Sequence, residues 1–82
     1  MEDIARTLGA NLRKARHHQG LTQAHMAELI DMPVELYARM ERGALLPSMR
    51  LFVKLCHVLD APAAQLLGMP PPTLHPLRRG AE

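Results

Sequence analysis

The residues with the widest chemical range here are five histidines, His17, His18, His25, His57 and His75, and a single cysteine, Cys56. Together they raise the question of a metal or redox centre. A metal site needs several convergent ligands at suitable spacing. No histidine here has partners at such a spacing, so neither a metal nor a cofactor is expected. Cys56 reads as core packing, because a free cysteine behaves as a small buried hydrophobe. His17, His18 and His25 read as basic surface. Catalysis finds no better support. No nucleophile, base and orienting acid form a recognisable pattern, and there is no glycine-rich phosphate loop. The sequence does not read as that of an enzyme.

What remains is charge and its placement. The net charge is only +2 over 82 residues. From Ile4 to Ala27, however, four cations (Arg6, Arg13, Lys14, Arg16) meet no acid. From Glu28 to Gly68 four cations meet five acids, a balance of −1. Basic charge is therefore concentrated at the start of the chain. Such asymmetry suits a polyanionic partner, and equally a solvated basic face.

These residues need a scaffold, and length and composition limit it. Eighty-two residues make one small domain. With one Phe, one Tyr and no Trp, the core must be aliphatic. A lone cysteine excludes an internal disulfide. No run of about 18 apolar residues exists, so no membrane span is expected. The Met1-Glu2-Asp3 start is acidic and lacks a signal-peptide profile, which points to a cytoplasmic protein.

The periodicity predicts five helices and no sheet. The first runs from Asp3, an N-cap, to His18, with Ile4, Leu8, Leu12 and Ala15 as its apolar stripe and Gly20 as its left-handed end. Thr22 caps the second, about Gln23 to Ile30, and Leu21 and Met26 stand at the positions of a hydrophobic staple. Asp31 marks a turn that tolerates a left-handed backbone. Pro33 precedes the third helix, about Val34 to Arg42, which Gly43 ends. Met26, Ala27, Ile30, Tyr37 and Met40 face one way. Two helices joined in this manner form a helix-turn-helix, whose second helix could enter a DNA groove. Ala44 to Pro47 is a linker. Ser48 caps a fourth helix carrying Met49, Leu51, Phe52, Leu55, Cys56, Val58 and Leu59. Asp60 or Ala61 opens a short fifth through Pro62 to Leu67, with Leu66 and Leu67 facing in. The fold class is thus all-α: a compact five-helix domain over residues 1–68, then an extended, flexible proline-containing tail over 69–82.

This layout resembles the Cro and phage-repressor family of helix-turn-helix regulators, also called the xenobiotic-response-element type. The resemblance spans about Leu8 to Gly68. It rests on Leu12-Arg13-Lys14-Ala15-Arg16, Gly20-Leu21-Thr22-Gln23, Ala27-Glu28, Met40-Glu41-Arg42-Gly43, Pro47-Ser48, Leu55-Cys56 with Leu59, and Leu66-Leu67-Gly68. It implies that Thr22 and Gln23 meet DNA phosphate, and that Gln23 braces the third helix. It implies an Arg16–Glu41 pair tying the first helix to the end of the third. It places Val34, Glu35, Ala38 and Arg39 on the reading face, with Arg42 as the cation near the linker. Val34 can touch only a thymine methyl, Glu35 can accept from cytosine N4, and Arg39 can donate to guanine O6 and N7. Ala38 is either part of that face or a spacer. Ala44-Leu45-Leu46 departs from the family, which often places phosphate-binding residues there.

The function implied is sequence-specific binding of double-stranded DNA by a transcriptional repressor, with helix 34–42 in the major groove. One domain is small, so a homodimer on a two-fold site is expected. Leu51, Val58, Ala63, Leu67 and Met69 exceed what so small a core can bury and point to an interface near the fourth and fifth helices and the start of the tail. Two alternatives stand beside this reading. One is the antitoxin of a toxin–antitoxin pair, with the tail folding on a toxin. The other is a protein-interaction module that contacts its partner through Leu45 and Leu46.

Overall fold

A computed structural model describes residues 3–70 of the chain. It contains α1 (Ile4–His18), α2 (Gln23–Leu29), α3 (Val34–Glu41), α4 (Met49–Leu59) and α5 (Ala63–Leu67), with no strand among the described residues. The fold is all-α, and each helix lies within a residue or two of its expected limits. The flexible tail expected from Met69 onward falls outside the described residues, apart from Met69 and Pro70.

The helix starts follow from side chains that accept the free amides of a first turn. Asp3 Oδ1 accepts from Arg6 N at 3.2 Å, Thr22 Oγ1 from His25 N at 3.0 Å, and Ser48 Oγ from Leu51 N at 3.2 Å. Pro33 and Pro62 stand at the other two N-caps. Asp60 does not open α5. It ends α4 in the left-handed region at φ 51°, and Ala61 N donates to Cys56 O at 3.0 Å. Asp31 does the same after α2 at φ 57°, with Met32 N donating to Ala27 O at 3.0 Å. This turn makes the corner between α2 and α3.

The core is aliphatic around two aromatics, Tyr37 and Phe52. Leu12, Met26, Tyr37, Met40, Leu55, Leu59 and Leu66 are fully buried. All five residues expected to line the corner, Met26, Ala27, Ile30, Tyr37 and Met40, are buried. Two assignments need correction. Ile4 begins the stripe of α1 but is 60% exposed, because it lines an open groove rather than the closed core. Leu51, Val58 and Leu67 are not surplus surface: each is half-buried against the core, while Ala63 and Met69 are exposed.

Asn11 of α1 and Gln19, its C-cap, tie α1 to the ends of α5 and α4. Asn11 Nδ2 donates to Leu66 O and Gln19 Nε2 to Leu59 O, each at 3.1 Å. Both satisfy carbonyls left free at helix C-termini. The tightest approach is between α1 and α3. A Cβ on Gly9 would stand 2.4 Å from Met40 O and 2.5 Å from Glu41 O. Both are backbone atoms and cannot swing aside. Gly9→Ala therefore lowers stability by about 1–3 kcal/mol through overpacking, despite the better helix propensity of alanine. Urea denaturation checks this, and a stabilised variant would show that α1 and α3 can separate freely.

Candidate nucleic-acid interface

The site is built on a buried ion pair. Arg16 Nε donates to Glu41 Oε2 at 2.6 Å and Arg16 Nη2 to Glu41 Oε1 at 3.0 Å, a two-pronged contact between α1 and the end of α3. Arg16 Nη1 also donates to Leu21 O at 2.9 Å, which fixes the chain entering α2. Gln23 Nε2 donates to Glu41 Oε1 at 2.9 Å. One carboxylate thus holds three helices in register. Burial alone would raise the pKa of Glu41. The hydrogen bonds it accepts, that from Arg16 first among them, reverse this and hold it below its ordinary value. The Tyr37 hydroxyl is buried against the pair, and burial, then the adjacent Glu41 carboxylate, pushes its pKa up. Despite that proximity the hydroxyl meets no partner at full hydrogen-bond geometry.

Above this pair lies a shallow, open depression between the helices. It is lined by Arg13, Arg16 and His17 of α1, by Leu21, Thr22, Gln23 and Ala24 at the start of α2, and by Val34 and Arg42 at the two ends of α3. Arg13, His17 and Arg42 are exposed. Thr22 Oγ1 is occupied as the cap acceptor but keeps its own proton to donate. Gln23 has one amide proton committed to Glu41 and a second to spare. The depression can therefore take an anion from several sides.

Four of the residues expected to contact DNA, Thr22, Gln23, Val34 and Arg42, line this depression, and Ala38, Glu35 and Arg39 lie on α3 outside its lining. Val34, Ala38 and Arg42 recur every four residues and so form one strip along α3 and its C-cap. Glu35 and Arg39 form the neighbouring strip and are exposed. Arg39 makes no ion pair among the described residues, so its guanidinium is free for a partner. The linker leucines lie elsewhere: Leu45 and Leu46 are exposed and do not line the depression. Sequence reasoning missed Arg13 and His17 as members of the site. The signal was available, because they lie three residues before and one after Arg16 on the same helix. Among the described residues no three His, Cys, Asp or Glu side chains converge to hold a metal.

Residues 7–68 match the helix-turn-helix domain family, and the chain belongs to it. Among solved structures it is similar to the clp gene regulator ClgR from Corynebacterium glutamicum. Two crystal structures of that protein share 33% identity with it, at TM-scores of 0.74 and 0.72. Both matches cover 78% of this chain, against 68% and 83% of the ClgR chains. It is also similar to the restriction-modification controller protein C.AhdI from Aeromonas hydrophila. That match has 29% identity and a TM-score of 0.70, over 76% of this chain and 94% of the other. No curated protein matches it. By family, this is a DNA-binding regulator.

Glu41→Gln leaves Arg16 buried without its counter-charge and costs about 3–5 kcal/mol of stability. Because the folded-state pKa of Glu41 is depressed, its contribution is present above the unfolded value and is lost as pH falls through the folded one. Acid titration of thermal stability should show wild type weakening below the usual carboxylate range. Glu41→Gln should be flatter in that window. Parallel curves for the two proteins would refute the role given to this carboxylate.

Proposed function

We propose that this protein binds duplex DNA sequence-specifically and represses transcription by occupying its site, as a cytoplasmic homodimer on a two-fold operator. The observation that carries the reading is the basic depression beside the exposed strips of α3. A phosphate seated between Arg13, Thr22, Gln23 and Arg42 would set α3 against the adjacent major groove. Glu35 and Arg39 then face base edges, with Val34 and Ala38 at their side. Half-sites should lie about one helical turn, roughly 34 Å, apart.

The chemistry of the reading face is sparse. Arg39 alone offers the donor fork that matches guanine O6 and N7. Glu35 is an acceptor that favours cytosine N4 and repels phosphate, so it also selects against misplaced docking. Val34 and Ala38 offer only apolar contact, which suits a thymine methyl. A second reading draws support from the linker. Leu46 is 53% exposed where a DNA-binding surface would gain from a cation, which favours a module that binds protein. Absence of salt-dependent binding to any duplex would favour that reading.

Sequencing the fragments retained from a random duplex pool would supply the operator. On that site, Arg39→Ala should lose about 1–3 kcal/mol against one base position and tolerate substitutions there. Arg42→Ala should weaken all sequences alike and reduce the slope of log affinity against log salt by about one unit. Gln23→Ala should also weaken all sequences alike. If Arg39→Ala and Arg42→Ala weaken every sequence equally, the roles given to them are wrong.

A further inference from the structure

The described residues carry a second concave surface that shares no residue with the basic depression. It is an apolar groove of about 230 Å³ formed where the start of α1, the linker, α4 and the end of α5 meet. Ile4, Leu8, Leu46, Pro47, Met49, Phe52 and Leu67 line it, with Leu8 and Phe52 the buried members. Its rim is strongly exposed: Ile4 60%, Leu46 53% and Met49 76%. No cation or acid lines it. An exposed apolar concavity of this kind is the type of surface that a binding segment can cover.

We propose that the occupant is the chain's own segment 73–77, folded back so that Leu74 and Leu77 fill the groove. The described chain ends at Pro70, three residues past Leu67 on the groove edge. Gly68 packs onto α1, since a Cβ there would stand 2.8 Å from Thr7 Cγ2, one turn from Ile4. The segment therefore starts beside its receptor. Pro70, Pro71, Pro72 and Pro76 favour polyproline II, which has three residues per turn. In that geometry Leu74 and Leu77, three apart, share one face. At about 3.1 Å per residue, a polyproline II stretch would span roughly 12 Å over the four residues to position 74 and roughly 22 Å over the seven to position 77, a reach that needs no long linker. Prolines limit the entropy lost on docking, and the short tether gives a millimolar-range effective concentration. Charge agrees with this path. Arg78 and Arg79 follow Leu77, and the exposed Asp3 flanks Ile4, holding Arg6 only at 4.0 Å. Polyproline recognition elsewhere uses grooves of this apolar kind.

The inference is independent of what α3 binds, and its test needs no DNA. In the full chain, proton contacts measured by NMR should link the Leu74 and Leu77 methyls to Ile4, Met49 and Phe52. A sample mixing labelled and unlabelled chains should show that these contacts arise within one chain. Leu74→Asp/Leu77→Asp should increase binding of an apolar fluorescent dye several-fold and lower Tm by about 5 °C. Its mass in sedimentation should equal that of wild type. Contacts found only between different chains would make the groove an interface between copies and overturn the proposal. So would an absence of contacts, or a double variant with unchanged Tm and dye binding.

Discussion

The arrangement of this domain depends on one buried carboxylate. Glu41 accepts from Arg16 on α1 and Gln23 on α2 while itself ending α3. Ion pairs taken out of water return little net stability, because desolvation offsets their attraction. Their value here is geometric. A hydrophobic contact between three short helices would tolerate some sliding. A two-pronged guanidinium–carboxylate contact fixes direction as well as distance. Neither α2 nor α3 is long enough to be stable alone, so this fixed joint and the packing of Tyr37 and Met40 under it define their crossing.

The same joint divides the surface. On its outer side α1, α2 and α3 present cations and hydrogen-bond donors around a shallow depression. A second concavity, where the start of α1, the linker, α4 and the end of α5 meet, is lined by apolar side chains alone. The two faces have opposite chemistry and share no lining residue. Gly9 lets α1 lie close against the end of α3, which brings Arg16 within reach of Glu41. A larger residue at position 9 would disturb the pair before it disturbed either face.

Most of the fold was legible in the sequence because it is written locally. Asp3, Thr22 and Ser48 each cap the helix that follows, and Gly20, Gly43 and Gly68 each close the helix before. The periodicity of Met26, Ala27, Ile30, Tyr37 and Met40 located the core side of the corner. The Arg16–Glu41 pair spans 25 positions and could be anticipated only through the family resemblance. The exposure of Ile4 was not legible, because the stripe gives a direction and not the extent of the element that covers it. Arg13 and His17 escaped for a related reason. Arg13 and His17, four residues apart, share a face of α1, but only the packing of α2 and α3 against it shows that this face lines a depression. The sequence leaves Asp60 or Ala61 to open α5, because aspartate suits both helix starts and left-handed ends, and only the backbone shows that Asp60 ends α4 and Pro62 caps α5.

Chemical-shift mapping during titration with the selected duplex tests the central relation between joint and surface most directly. If Glu41 holds the three helices as one DNA-facing unit, three groups of signals move at a single rate of saturation. These are the backbone amides of Thr22 to His25, those of Val34 to Arg42, and the side-chain amide of Gln23 between Glu41 and the phosphate. Signals of α4 and α5 stay in place. Shifts concentrated on Ile4, Leu46 and Met49, with the Gln23 side chain and α3 unmoved, would contradict it.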